Sequence, residues 1–146
     1  MFNLINSLTP AQLASAKLGS SFSDVYLGPG KDARGNFPTG TTRRGILASN
    51  LSSTQQALVR TAITAWTKNS PLASTYQSLY FSEISRTYVA YSGTTTLENQ
   101  GDYVRIDGPH VWIELATQPG IVIQNQTHYH TLWRDRVTDY NAAYGF

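Results

Sequence analysis

The hydrophobic period of this chain changes once, near Ser85, and that change limits the fold more than any other feature. Upstream, Leu58, Ala62, Ala65 and Trp66 recur at helical spacing with Val59 and Ile63 beside them, after overlapping capping-box patterns in Leu51–Gln56. Trp66 shares that face and is predicted to lie buried against the sheet. Ser70-Pro71 closes this helix and opens another, with Leu72, Tyr76, Leu79 and Tyr80 on one face. Nearer the N-terminus, Thr9-Pro10-Ala11-Gln12 forms a capping box with Pro at the first helical position, and helix-favouring residues run on to Gly19.

Downstream of Ser85 the period is two. Thr87–Tyr91, Asp102–Ile106, Val111–Ala116, Ile121–Ile123 and His128–Trp133 read as strands, with turns at Gly93, Gly101, Asp107-Gly108-Pro109 and Gln118-Pro119-Gly120. Ser21–Leu27 also alternates and reads as a strand, whereas Gly28–Gly45 carries five Gly and two Pro and reads as a long loop. The expected class is α+β: two or three N-terminal helices packed on a C-terminal antiparallel sheet of about four or five strands. At 146 residues the chain makes one domain, helical over about 1–84 and sheet over about 85–146.

Charged residues are only 14% of the chain and the formal net charge is +2, with Arg43-Arg44 the only adjacent basic pair, so a nucleic-acid partner is not expected. A surface carried by Ser, Thr, Asn, Gln and Tyr suits an extracellular or periplasmic protein. No run approaches the ~20 apolar residues of a membrane span, and Met1–Pro10 lacks the basic and apolar regions of a signal peptide. With no cysteine, a disulfide scaffold, a zinc ribbon and a thiol nucleophile are excluded.

The chemistry-bearing residues concentrate in the last strands. All three histidines lie between positions 110 and 130, two of them in His128-Tyr129-His130. Residues two apart on a strand share a face, so both imidazoles can reach one ion at about 2.0–2.1 Å. His110, Glu114 and Asp107 lie close in sequence. Whether His110, Trp112 and Glu114 share the face of His128 and His130 depends on the parity of the intervening loop: a two-residue loop separates them, an odd-numbered one unites them. Tyr103 and Arg105 alternate with Val104 and Ile106, so they lie opposite the packed face.

The series Gly101-Asp-Tyr-Val-Arg-Ile-Asp-Gly-Pro-His-Val-Trp-Ile-Glu, His128-Tyr-His-Thr-Leu-Trp-Arg-Asp and Asp139-Tyr140 resembles a bacterial family, domain of unknown function 3500. Upstream, Phe22-Ser-Asp-Val, Leu27-Gly-Pro-Gly-Lys-Asp, Phe37-Pro and Tyr88-Val-Ala-Tyr-Ser-Gly fit as well. The resemblance implies an exported protein of which this chain is the C-terminal part, and it implies that Glu114, His128 and His130 act together. It implies no reaction.

Two functions fit these residues. The first is a metal-dependent enzyme: His128 and His130 bind Zn, Cu or Fe with His110 or Glu114 as third ligand, and Glu114 and Arg134 are the catalytic groups. Tyr103, Arg105, Trp112 and Trp133 then bind substrate, with hydrolysis expected for Zn and oxidative chemistry for Cu or Fe. The second is a non-catalytic extracellular binding or assembly module. It uses an exposed Tyr/Trp/Arg/His face for a small molecule, a glycan or a second copy of the chain.

Overall fold

A computed structural model describes residues 1–31 and 36–139. Its helices are α1 (Phe2–Asn6), α2 (Pro10–Ala16), α3 (Ser53–Thr67) and α4 (Ala73–Ser82). Its strands are β1 (Ile46–Leu47), β2 (Tyr88–Ser92), β3 (Tyr103–Asp107), β4 (Val111–Pro119) and β5 (Thr127–Asp135), forming one antiparallel sheet in the order β1-β2-β3-β4-β5. The α+β class and the meander are as expected. The helical part holds one short helix more than the two or three expected, α1. Among the described residues no helix is long and apolar enough to cross a membrane.

Local chemistry explains the helix starts. The hydroxyl of Thr9 accepts from the Gln12 amide while the Gln12 side chain accepts from the Thr9 amide, and Ser52 and Gln55 repeat the device at α3. The buried side of α3 is Gln55, Val59, Ala62, Ile63 and Thr67. That face is rotated from the one expected: Ala65 is exposed and Trp66 only half-buried. Likewise Leu72 precedes α4 and is exposed, while Tyr80 of the same predicted face is fully buried.

Two further expectations are corrected. Ser21–Leu27 is no strand; its alternation is real, but its backbone amides bond to side chains of the sheet instead of to a neighbouring strand. Ile121–Ile123 is a turn at the tip of the β4–β5 hairpin. The short strand β1 follows the glycine-rich stretch directly and joins the sheet ahead of α3.

The sheet separates its two faces by composition. Val89, Tyr91, Val104, Ile106, Val111, Ile113 and Leu115 point to the helices and build the main core with Leu4, Ile5, Val59, Ile63 and Tyr80. The other face carries Tyr103, Arg105, Asp107, Trp112 and Glu114, all nevertheless buried. They are covered by the segment leading from α2 to β1, here called the strap. It starts with Leu18 donating to the Tyr91 carbonyl at 2.8 Å, and Ser92 then donates to the Ser20 carbonyl at 2.6 Å. Gly45 ends it at φ +119°, where a Cβ would run into the Val89 carbonyl oxygen and the Ala90 side chain. Gly45→Ala is therefore expected to destabilise the fold by about 1–3 kcal/mol in urea unfolding. Gly19→Ala, at a strap position with open space around it, should leave the midpoint near that of the parent.

Candidate functional site

The loop joining β4 to β5 runs over residues 120–126, between Pro119 and Thr127, and so holds an odd number of residues. Pairing of Gln118 with His128, Ala116 with His130, Glu114 with Leu132 and Trp112 with Arg134 follows from it. Directly opposed residues share a face. Trp112, Glu114, His128, His130 and Arg134 consequently lie on the polar face, together with Tyr103 and Arg105 of β3.

Glu114 occupies the middle of this face and is fully buried. One carboxylate oxygen accepts from the Tyr26 amide at 2.8 Å and from the Tyr103 hydroxyl at 2.5 Å; the other accepts from the Leu27 amide at 3.1 Å. Burial, and then the adjacent Glu114 charge, push the Tyr103 phenol well above its ordinary pKa, so it remains a donor. The carboxylate expected to take part in catalysis thus accepts from two strap amides and a phenol. Its effect is to position the strap.

The strap brings Asp24 to the histidines. Asp24 Oδ1 lies 2.8 Å from His130 Nδ1, and the His128 and His130 rings are 4.7 Å apart between centroids. Both partners are well exposed, with side-chain exposures of 39% for His130 and 51% for Asp24. Partial burial pushes the Asp24 carboxyl up, but bonds from His130, the Val25 amide and Gln118 outweigh this and hold it below its ordinary value. Gln118 also ties the strap down, donating to the Ser23 carbonyl at 2.8 Å. Among the described residues no three His, Asp or Glu side chains converge as a ligand set.

The other expected site residues divide. His110 sits in the β3–β4 turn with Nδ1 at 2.9 Å from Glu83 Oε1, at the far end of the hairpin. Its carbonyl accepts from Arg136 just beyond β5, which puts it roughly 20 Å along the strand from the position opposite His130, at ~3.3 Å per residue. Trp133 points to the helices, edge-on to Tyr76 and donating to the Tyr80 hydroxyl at 3.4 Å. Tyr103, Trp112, Arg105 and Arg134 are on the polar face but at most 5% exposed, so the exposed aromatic and arginine face expected for a binding module is covered. Phe22 stacks on Tyr103 at 3.9 Å and Phe37 meets Trp112 edge-on at 5.6 Å; these two rings do the covering.

Asp107 is fully buried and paired with both Arg43, at 3.1 Å, and Arg136. Burial holds the Arg136 guanidinium below its ordinary pKa, opposed by Asp107. Sequence reasoning missed Asp24 and Arg43 as members of this region. The available signal was the alternation of Phe22, Asp24 and Tyr26, the residues of the strap that meet the sheet.

Fold and site together define an α+β domain whose antiparallel sheet carries a buried polar face beneath a strap, with a carboxylate-linked histidine pair at one end. The chain belongs to the family described as protein of unknown function (DUF3500), which it matches over residues 1–142. Tyr140 and Asp32, among the residues that carry the resemblance, lie outside the described residues. Neither the curated proteins nor the solved structures yielded a match.

Two predictions follow from the strap contacts. Glu114→Ala leaves two amides without acceptors and should cost at least about 2–3 kcal/mol. It should also speed tryptic cleavage at Lys17 or Lys31 and shift Trp112 fluorescence to the red; unchanged proteolysis would show that the strap is held by other contacts. For Asp24, a depressed pKa means that the stabilisation is present above the ordinary value of 3.8 and is lost as pH falls through the lower, folded value. A carboxyl ¹³C titration of Asp24 should have its midpoint below 3.8, moving back up in His130→Ala.

Proposed function

We propose that this chain is an exported metal-binding domain in which His128 and His130 hold a transition ion, Zn or Cu in first place. The observation that carries this reading is the bond between Asp24 and His130 Nδ1. Metal-bound histidines characteristically give their second nitrogen to a carboxylate, which fixes the ring and raises the basicity of the other nitrogen. With Nδ1 so occupied, His130 has Nε2 to offer, and His128 stands beside it on the same face.

Two imidazoles fill half of a tetrahedral shell, so water or a ligand group takes the rest. A zinc ion in such a shell supports hydrolysis, and copper or iron supports oxidative chemistry. Glu114 enters as a positioning residue, since it holds the strap that carries Asp24. The uncharged, hydroxyl- and amide-rich composition supports an extracellular or periplasmic location.

Protein purified without a nickel column and analysed by plasma mass spectrometry should take up about one equivalent of Zn or Cu. His128→Ala/His130→Ala should abolish that uptake with an unchanged far-UV spectrum, and Asp24→Asn should weaken it by about 10–100-fold. Equal metal content in the double variant would overturn the proposal.

A further inference from the structure

The strap does not close fully on the sheet. Between the end of α2, the strap and the inner wall at Arg105 lies an open cleft of about 1070 Å³. We propose that this cleft binds an anionic, polyhydroxylated ligand, the chemistry of an acidic sugar, with Arg105 as its inner anchor. The proposal does not involve the histidine pair.

Charge is the first argument. Among the described residues, Lys17, Lys31, Arg43, Arg44 and Arg105 line the cleft against one carboxylate, Asp24, which is already bonded to His130. Arg43 is paired with Asp107, but Asp107 is shared with Arg136, so one carboxylate serves two guanidiniums. Lys17, Lys31, Arg44 and Arg105 form no ion pair with any described carboxylate. Clefts walled by one sign of charge concentrate ligands of the other sign.

Arg105 is the second. It is only 5% exposed, and its Nε finds no hydrogen-bond partner among the described residues. Its terminal nitrogen makes a long bond, 3.4 Å, to the Arg44 carbonyl, and its guanidinium lies 5.2 Å from the Trp112 ring centroid. A buried guanidinium without an ion-pair partner is costly, and a ligand carboxylate accepting from its terminal nitrogens supplies one.

The rest of the lining selects within the anions. Ser20, Ser21 and Ser23 offer hydroxyls, and Phe22 and Tyr26 offer aromatic surface. An inorganic anion accepts from hydroxyls but has no use for the aromatic surface, whereas a sugar ring uses both: its hydroxyls bond to the serines and its C–H face packs on an aromatic ring. The cleft volume is also far larger than an inorganic ion requires.

The test is titration calorimetry on the whole chain after chelator treatment, so that the result is independent of the metal proposal. The probes are a uronic-acid trisaccharide, the neutral trisaccharide of the same linkage, and citrate. The uronate should bind, with affinity that falls as salt is raised, and the neutral sugar and citrate should bind at least about tenfold more weakly. Lys17→Gln/Arg44→Gln, at exposed rim positions, should weaken uronate binding by about tenfold. No heat with the uronate would overturn the proposal, as would equal affinity for the neutral sugar or citrate, or unchanged uronate binding in Lys17→Gln/Arg44→Gln.

Discussion

The structure turns on a single buried carboxylate. Glu114 lies at the centre of β4 with no exposure to solvent, and it accepts from two consecutive strap amides and from the Tyr103 phenol. A carboxylate in that position is tolerated only when its lone pairs are matched. Two adjacent amides presented to one carboxylate also fix the direction of the strap. Leu27 is thereby sent into the cluster with Phe37 and Trp112, while Asp24 comes within reach of His130. The covering of the sheet, the orientation of the histidine and the position of the cleft wall all descend from that contact.

The two faces of the sheet solve burial in opposite ways. Toward the helices, Val, Ile and Leu side chains need only shape and volume, so almost any well-packed helix pair serves. Toward the strap, buried polar groups need partners, and the strap supplies several of them from amides and carbonyls that no ladder consumes. Arg136 donating to the Pro38 carbonyl at 2.9 Å and Gln118 donating to the Ser23 carbonyl are further instances.

The helix-facing half of this arrangement was legible in the sequence, since burial against an apolar core writes a period into the chain. The change at Ser85, the capping boxes of α2 and α3 and the sheet strands of the C-terminal part are of that kind. The polar face was legible only as alternation. Tyr103 and Arg105 were placed opposite the core, but an alternation of polar residues has the same form whether solvent or a strap covers them. Ser21–Leu27 was mistaken for a strand for the same reason: its side chains alternate, and only its amide partners, Glu114 oxygens instead of a neighbouring strand, distinguish the two. The union of Glu114 with the His128 and His130 face depended on the parity of residues 120–126, a count that the turn signal at Gln118-Pro119-Gly120 did not determine. Separation of His110 followed from its place in the turn, where Glu83, distant in sequence, captures its ring. Asp24 was invisible because its partner lies 106 positions away.

A stability argument alone does not account for the arginines beneath the strap. Buried ion pairs gain little over apolar residues of equal volume, because desolvation offsets their attraction. Trp112, Phe37 and Leu27 show that this face accepts apolar packing where it occurs. Yet Arg43, Arg105 and Arg136 all belong to the same region, with Asp107 serving Arg43 and Arg136 and Glu114 turned to the strap. Cations concentrated this way raise the local potential toward the side that remains open, and the side that remains open is the cleft beside Arg105. A ligand carboxylate of the kind proposed for the cleft would offset part of that cost by meeting Arg105.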